Sequence, residues 1–314
     1  MAKPTYIITT QSATHLGKAL KRALAAQLLQ IHRDTFADGE QYYRIDLTKP
    51  EQLFDADVIC VSATTNDQAL LELQRIGTTL SSLGTRRRIF VIPFLGYSTM
   101  EKAKRPGEVV TAKTNALLLS SIPHSGQGNT FLFLDLHEPS LIHYFEGQSA
   151  FLELSARELL AKATRSLKLK NYVLGSADLG MPGQIEYLAG QLKVPIALIS
   201  KSRKFSNTAV VACVGNVEGK SVVIYDDMIR SGGSIIQAAQ AYKEAGAKNV
   251  FVATTHLALT NPEVVQALER SDIQQIIATN SHPMSQAMEI KKSRLFTIID
   301  IAPIVAKSVR KLLS

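Results

Sequence analysis

The sequence contains no tryptophan and only two cysteines, and aromatic residues make up only 6% of its 314 positions. Both cysteines, Cys60 and Cys213, lie in apolar runs, so we expect buried, reduced thiols and neither a disulfide framework nor a metal site. No stretch approaches about 20 apolar residues without a charge, and the first residues lack a secretion signal. These absences predict a cytoplasmic protein with no membrane-spanning segment.

The overall composition, 46% hydrophobic and 20% charged without a low-complexity tract, is typical of a globular protein. At about 150 residues per domain, the length predicts two domains. The net charge of +8 suits either nucleic acid or phosphorylated small molecules. The basic clusters are short and lack the interleaved aromatic side chains of a single-strand binding surface, so we expect no nucleic-acid partner.

Short apolar, β-branched runs alternate with longer segments of helical periodicity, which predicts an α/β fold with mostly parallel sheets. The predicted strands are Tyr6–Ile8, Val58–Val61, Arg88–Ile92, Thr130–Leu134, Tyr172–Leu174, Ile196–Ile199, Ser221–Tyr225, Val250–Thr254, Gln275–Ala278 and Leu295–Ile299. The predicted helices are Ala13–Leu28, Asp67–Leu83, Val110–Leu119, Ala150–Ala163, Pro182–Leu192, Ser234–Ala245 and Pro262–Leu268. A turn at Glu146–Gln148 suggests one domain over residues 1–149 and another over 150–301. A last helix, residues 302–314, is expected to pack back on the first domain.

The most informative segment is Val222–Ile235. A predicted buried strand is followed by Asp226 and Asp227, then by a loop of small residues, and then by a helix that opens at Ser234. Glycines let the backbone approach a ligand closely, and the N–H groups of a helix start favour an anion, so the predicted ligand is a phosphate. The two acids would hold sugar hydroxyls, directly or through Mg²⁺.

A purely structural interpretation of this segment is an acidic turn that caps a helix. The order of strand, acid pair and Gly-Gly loop favours the binding site over that alternative. The segment resembles the phosphoribosyl-diphosphate loop of the type I phosphoribosyltransferase fold. Beyond this loop, a similarity to ribose-phosphate diphosphokinases extends from about residue 5 to the C-terminus.

The resemblance implies two tandem type I phosphoribosyltransferase-like domains with mostly parallel central sheets. It also implies transfer of the β,γ-diphosphoryl group of Mg-ATP to the 1-hydroxyl of ribose 5-phosphate, giving phosphoribosyl diphosphate and AMP. The enzyme would be a homo-oligomer whose ATP site is shared between subunits. The ribose 5-phosphate-binding residues that the resemblance assigns are Asp226, Asp227, Arg230, Ser231, Gly232, Gly233 and Ser234.

Two further motifs carry the ATP assignment. Phe36–Glu40 resembles the family's Phe-x-Asp-Gly-Glu hairpin, which reaches the ATP adenine of a neighbouring subunit. The segment after Gly96-Tyr97 takes the place of the family's ATP loop. The residues to which the resemblance assigns ATP binding are Phe36, Asp38, Glu40, Thr99, Met100, Glu101 and Lys102.

The metal and catalytic assignments come from three other segments. Asp135-Leu136-His137 resembles the family's metal-binding motif, and Asp178 lies in a matching turn, so the resemblance makes His137 and Asp178 ligands of Mg²⁺. By itself a histidine after a strand is more often structural, and histidine is an uncommon Mg²⁺ ligand. Lys201 and Arg203 match the family's pair of cations that stabilise the diphosphoryl group in flight. Phosphoryl-type transfer depends on positioning and positive charge, although a solvated basic turn is the alternative.

The chain departs from the commonest class of the family at several positions. Thr99-Met100-Glu101-Lys102 replaces the Arg-Gln-Asp-Arg of the ATP loop, Lys201-Ser202-Arg203 replaces Lys-Arg-Arg, and Arg230–Ser234 replaces Asp-Thr-Gly-Gly-Thr. These departures resemble a second, plant-type class. That resemblance implies independence from phosphate activation, little inhibition by ADP, and use of several nucleoside triphosphates.

Two other functions stay open from the sequence. One is a non-catalytic regulatory subunit associated with a diphosphokinase, against which the retention of Lys201, Arg203, His137 and Asp178 argues. The other is a phosphoribosyltransferase, which would have no use for the ATP-type hairpin.

Overall fold

A computed structural model describes residues 3–124, 126–177, 182–203 and 209–314. Contacts between Cα atoms divide the chain into two compact units. The first unit contains the residues up to Ser155 together with Ser281–Pro283 and Ile301–Ser314, and the second contains Ala156–Asn280 and Met284–Asp300.

The first unit is built on a parallel sheet with strand order β2-β1-β5-β6-β7-β8, beside a separate antiparallel hairpin of β3 and β4. Its strands are β1 (Thr5–Thr9), β2 (Gln27–Leu29), β3 (Ile31–Thr35), β4 (Gln41–Ile45), β5 (Asp57–Val61), β6 (Arg87–Ile92), β7 (Asn129–Leu134) and β8 (Ala150–Leu154). Its first helices are α1 (Thr14–Leu24), α2 (Asp67–Ser82) and α3 (Thr111–Ser120). Every residue of β5 is buried, as the sequence predicts for a central strand covered on both faces.

The second unit contains a sheet with strand order β11-β10-β9-β12-β13-β14-β15, in which only the edge pair β10–β11 is antiparallel. Its strands are β9 (Tyr172–Ser176), β10 (Ile196–Arg203), β11 (Ala209–Val214), β12 (Ser221–Ile229), β13 (Asn249–Leu257), β14 (Ile273–Thr279) and β15 (Phe296–Ile299). Its helices are α4 (Arg157–Ser166), α5 (Pro182–Leu192), α6 (Gly233–Glu244), α7 (Pro262–Glu269) and α8 (Met288–Lys292). The predicted α/β fold with mostly parallel sheets is confirmed.

The final helix, α9 (Ala302–Leu313), belongs to the first unit, although it follows the second along the chain. It lies against α1, where the Arg310 guanidinium donates a hydrogen bond to the Ala23 carbonyl. No helix in the described part of the chain combines the length and apolar character needed to cross a bilayer.

Two helix predictions are wrong at the edges of the first sheet. Helix α1 stops early because Ala25 adopts a left-handed conformation (φ 51°), and Gln27–Leu29 then pairs with β1 as a strand. Ala150–Leu154, predicted as the start of a helix, instead forms β8 against the free edge of β7. In both places the backbone groups of a sheet edge supply hydrogen-bond partners, and this tertiary pairing overrides the local helical preference.

The two cysteines differ in burial. Cys60, in β5, is fully buried, and burial raises the pKa of its thiol. Cys213, in the edge strand β11, is only partly buried, which corrects the expectation of two buried thiols. An edge strand has a neighbour on one side only, so its side chains are covered less completely. Both thiols are free.

Candidate active site

The acid pair lies within β12 and not after it, which corrects the predicted strand end at Tyr225 by four residues. The extension arises because β13 continues alongside, pairing Asp226 with Thr254 and Ile229 with Leu257. The Asp226 carboxylate is partly exposed and accepts a hydrogen bond from the Asp227 N–H at 2.9 Å, whereas Asp227 is buried. The strand therefore delivers one accessible carboxylate to the carboxyl end of the sheet.

The loop after β12 has the conformation that the glycines predict. Gly232 adopts φ 76°, in the left-handed region, and α6 begins at Gly233 immediately after it. A Cβ on Gly232 would lie 3.2 Å from the Val264 side chain of α7, so both the backbone and the space favour glycine. Arg230 and Ser231 are exposed beside this loop. The N–H groups in the first turn of a helix lack intrahelical acceptors, so the N-terminal end of α6 suits a phosphate.

Strand order places this loop at the crevice of the second sheet. β9 has β10 on one side and β12 on the other, so the order of strands reverses next to β9. In open α/β sheets such a switch point, at the carboxyl ends of the strands, is where ligands bind.

Buried hydroxyls without a partner mark the same edge. The hydroxyls of Ser176 at the end of β9 and Thr254 in β13 have no hydrogen-bond partner within the described chain. Thr254 pairs in register with Asp226, and Ser176 with Tyr225. Oxygen atoms of carboxylates and hydroxyls suit Mg²⁺ or sugar hydroxyls, so the donor set at this edge fits both.

The predicted catalytic cations lie on β10, which continues to Arg203 instead of ending at Ile199. The antiparallel strand β11 supports this extension, because Lys201 pairs with Val211 and Arg203 with Ala209. Asp178, the second predicted metal ligand, lies outside the described residues.

The hairpin of the first unit has an exposed tip. Gly39 adopts φ 93° and its N–H donates to the Phe36 carbonyl at 2.8 Å, while Asp38 accepts from the Glu40 N–H at 3.1 Å. The Phe36 ring is 53% exposed and meets Tyr42 edge to face at 6.0 Å. At the hairpin tip, one aromatic ring, Phe36, and two carboxylates, Asp38 and Glu40, are therefore exposed on the surface of this unit.

Sequence reasoning missed the anchor of this hairpin. The Arg33 guanidinium donates to Glu72 of α2 at 2.8 Å and to the Thr9 carbonyl of β1 at 2.9 Å. Glu72 is 3% exposed and also accepts from the Gln11 N–H at 3.2 Å. The one sequence feature that could have indicated this anchor is Glu72, an acid among the apolar positions of α2. A cavity of about 430 Å³ lies beside this anchor, lined by Gln11, Arg33, Asp34, Thr35, Gln41, Tyr43, Gln68 and Glu72.

The loop after β6 is held at its start by close packing. Gly96 donates its N–H to the Thr64 hydroxyl at 3.1 Å, and a Cβ on Gly96 would lie only 1.9 Å from the Thr64 carbonyl oxygen. Tyr97 then adopts φ 61° and donates a hydrogen bond to Asp67, which raises the pKa of the tyrosine. This bond keeps the phenol protonated and ties the loop to the start of α2.

The predicted ATP-binding residues follow in this loop. Met100 is 42% exposed, Thr99 is partly buried, and the Lys102 ammonium lies 3.3 Å from the Glu101 carboxylate. Partial burial raises the pKa of Glu101, but its own backbone hydrogen bond and the nearby Lys102 and Lys104 outweigh this effect, so the pKa is lowered overall. Tyr144 donates to the Glu101 carbonyl at 2.6 Å and fixes the loop.

The Asp135-Leu136-His137 turn follows β7. Asp135 is buried with φ 38°, and its N–H donates to the Leu154 carbonyl at 2.9 Å. His137 is partly buried. Across the residues that the structure describes, no group of three or more histidine, cysteine, aspartate or glutamate side chains is arranged to hold a metal ion. The metal assignment of His137 therefore stays a prediction.

The fold and the loop at α6 together define a class: an α/β protein whose site at the carboxyl edge of a sheet resembles that of phosphoribosyltransferase-like domains. Comparisons with known proteins name the family. The model of the N-terminal domain of ribose phosphate pyrophosphokinase matches residues 5–122, and that of the phosphoribosyl synthetase-associated domain matches residues 186–314.

Relatives match over nearly the whole chain. The ribose-phosphate pyrophosphokinase of Bacillus subtilis (strain 168) is 29% identical, over 96% of this chain and 92% of that protein. The enzyme of the same name from Saccharolobus solfataricus is 29% identical over 88% of this chain and 92% of its own length. A crystal structure of phosphoribosylpyrophosphate synthetase from Mycobacterium smegmatis superposes with a TM-score of 0.86 and 27% identity, covering 99% of both chains.

The chain belongs to the ribose-phosphate pyrophosphokinase family. This is another name for the ribose-phosphate diphosphokinases that the sequence motifs resemble. The superposition confirms the predicted fold of two phosphoribosyltransferase-like domains.

Proposed function

We propose that this protein transfers the β,γ-diphosphoryl group of Mg-ATP to the 1-hydroxyl of ribose 5-phosphate. The observation that carries the proposal is the glycine-formed phosphate cradle at the start of α6, next to the Asp226 carboxylate, in a chain similar to pyrophosphokinases over its whole length. The sugar phosphate would bind to the N–H groups of Ser231–Ser234, and the ribose hydroxyls would bind to Asp226 and Asp227.

The reaction balances without a covalent enzyme intermediate. The 1-hydroxyl oxygen forms a bond to the β-phosphorus, the bond from that phosphorus to the oxygen bridging to the α-phosphorus breaks, and AMP leaves as the hydroxyl loses its proton. Lys201 and Arg203 would stabilise the charge on the diphosphoryl group as it moves. Mg²⁺, held by His137 and Asp178 in this proposal, would neutralise phosphate charge. We assign no general base.

The ATP site in this proposal is shared between subunits of a homo-oligomer. Phe36, Asp38 and Glu40 of one subunit would meet the adenine, and Thr99–Lys102 of another would complete the site. The 53% exposure of Phe36 supports this arrangement, because a ring at a hairpin tip has a free face for stacking. We keep the proposal of two domains with residues 302–314 packing on the first, but move the boundary from 149/150 to after β8, because Ala150–Leu154 pairs with β7 of the first sheet.

We expect the chain to form AMP from ATP and ribose 5-phosphate in a coupled assay with Mg²⁺. Absence of AMP would favour the regulatory-subunit alternative, and glycosidic transfer to a nucleobase would favour a phosphoribosyltransferase. The exposed hairpin tip and the extended β10 favour the kinase, because neither alternative requires an ATP-type hairpin together with two cations.

The plant-type subclass is part of the proposal. The replacement of the first-class residues at Thr99–Lys102 and at Arg230–Ser234 supports it. We expect turnover with ATP, GTP and CTP that does not need inorganic phosphate. Strict phosphate dependence with a sharp preference for ATP would place the chain outside the plant-type class while leaving the reaction intact.

Replacing Gly96 with alanine should destabilise the protein by about 1–3 kcal/mol and raise KM for ATP at least about tenfold. The new Cβ would lie 1.9 Å from the Thr64 carbonyl oxygen, so the loop carrying Thr99–Lys102 must move. Urea denaturation and initial-rate kinetics would measure the two effects. Gly190→Ala is the control, because Gly190 lies in α5 without a positive φ and a Cβ there meets nothing within 4 Å. An unchanged KM for ATP in Gly96→Ala would contradict the role of this loop.

A further inference from the structure

The phenol hydroxyl of Tyr242 links α6, β9 and β10 of the second unit through hydrogen bonds, and each of these elements has its own role in the proposed reaction. Tyr242 lies on α6, the helix that begins at the phosphate cradle, and its side chain is fully buried. The hydroxyl oxygen lies 3.0 Å from the Ser176 nitrogen, 3.0 Å from the Ser176 oxygen and 2.8 Å from the Ala197 oxygen. Ser176 ends β9 and Ala197 lies in β10.

The hydroxyl sits where two strands stop pairing. β9 and β10 form only the pairs Leu174 with Ile196 and Gly175 with Ala197. The next pair of a continued parallel ladder, Ser176 with Leu198, is not formed between these two strands. At this point the tyrosine hydroxyl accepts from the Ser176 N–H and donates to a carbonyl of Ala197 or Ser176. It therefore bridges the ends of the ladder and holds the strands at a set separation.

Gly175 provides the space for this contact. A Cβ at Gly175 would lie 2.9 Å from the Tyr242 hydroxyl oxygen and 2.7 Å from the Val222 side chain. The absence of a side chain at Gly175 thus leaves room for the Tyr242 hydroxyl to reach into the buried sheet. Burial raises the pKa of Tyr242, so the phenol stays protonated and keeps its proton to donate.

Both strands carry proposed reacting groups just past this bridge. β9 ends at Ser176, two residues before Asp178 along the chain. β10 reaches Lys201 four residues after Ala197, and beyond Ile199 it pairs with β11 alone. The separation of β9 and β10 at Tyr242 therefore governs how far the end of β9 lies from the outer part of β10, the strand to which the proposed cations belong.

We propose that Tyr242 is a positioning residue, whose hydroxyl sets the spacing between the end of β9 and β10 and ties both strands to the phosphate cradle through α6. This inference rests on the proposed function. Misplacement of transferring groups by about 1 Å can cost up to a hundredfold in rate even when substrate contacts are kept. Tyr242 touches no substrate in this assignment, so its effect should fall on kcat and not on sugar binding.

The test is Tyr242→Phe in the full-length protein, with Tyr172→Phe as the matched control. Tyr172 lies at the start of β9, the opposite end from the bridge at Ser176, so its substitution also removes one phenol hydroxyl but leaves the bridge intact. We expect Tyr242→Phe to lower kcat about tenfold to a hundredfold and to change KM for ribose 5-phosphate by less than about threefold. The control should keep both constants near the wild-type values.

Two further measurements separate positioning from general destabilisation. Amide hydrogen exchange at Ser176 should accelerate in Tyr242→Phe, because its N–H loses an acceptor, and remain slow in the control. 4-Aminophenylalanine at position 242 restores a donor but only a poor acceptor, so it should recover part of the lost kcat while Ser176 exchange stays fast. If Tyr242→Phe does not fold, the 4-aminophenylalanine protein carries the test: fast Ser176 exchange with a kcat below wild type supports the positioning role, and a wild-type kcat with fast exchange overturns it.

A kcat within threefold of wild type in Tyr242→Phe, or an equal loss in Tyr172→Phe, would overturn the inference. A rise in KM for ribose 5-phosphate at unchanged kcat would also overturn it, since the residue would then act on sugar binding. If wild-type protein forms no AMP, the proposed function itself is wrong. That failure is distinguishable, because it appears before any substitution is made.

Discussion

Replacing Lys201 with alanine should lower kcat for diphosphoryl transfer by about 10²- to 10³-fold while leaving ribose 5-phosphate binding nearly intact. The charge on the diphosphoryl group is greatest while it passes between ATP and the sugar, so a cation that contacts it there stabilises the transition state more than either substrate complex. Lys201 belongs to β10 and the proposed cradle to the loop between β12 and α6, which is why sugar binding should survive. Initial-rate kinetics and calorimetric titration with ribose 5-phosphate would measure the two quantities.

The control for this experiment is Lys162→Ala. Lys162 is an exposed cation on α4, so its removal changes the net charge equally without touching the proposed site. An unchanged kcat in Lys201→Ala, or an equal loss in the control, would refute the catalytic role of Lys201. Loss of sugar binding together with kcat would instead indicate that Lys201 belongs to the ribose 5-phosphate site.

Replacing Gly232 with alanine should raise KM for ribose 5-phosphate at least about tenfold, because the phosphate cradle would lose its backbone geometry. An L-residue in the left-handed conformation costs about 1–2 kcal/mol, and at φ 76° this strain falls on the loop itself. The contact with Val264 at 3.2 Å adds crowding from α7. KM for ribose 5-phosphate and the free energy of unfolding should be measured together.

Gly219→Ala is a closely matched control for Gly232→Ala. Gly219 lies in the same unit, has a comparable φ of 66°, and a Cβ there meets nothing within 4 Å. Both variants should lose similar stability from backbone strain, but only Gly232→Ala should weaken sugar binding. Equal KM values in the two variants would show that the loop at Gly232 does not bind the phosphate.

Much of the candidate site was predictable because its signals are local. The turn at Gly39 and a helix that starts at the Gly-Gly pair follow from the preferences of neighbouring residues, although α6 begins at Gly233, one residue before the predicted Ser234. The alternation of buried strands and helices fixed the fold class for the same reason. The strand ends were less predictable. β12 and β10 both run four residues beyond the predicted ends, because β13 and β11 extend alongside them.

The sequence alone therefore predicted the segment from Asp226 to Ser234 as a candidate phosphate site, because that prediction needs only a strand, two glycines and a helix in order. The tertiary structure decided which distant residues support that segment and, in the first unit, the hairpin. Arg33 meets Glu72 across 39 residues of chain, and Tyr242 meets Ser176 across 66. No local periodicity encodes such contacts, because they depend on which strands become neighbours in a sheet. The wrong helix prediction at Ala150–Leu154 has the same cause. This segment became a strand because it pairs with β7, and that pairing is not visible in the local sequence.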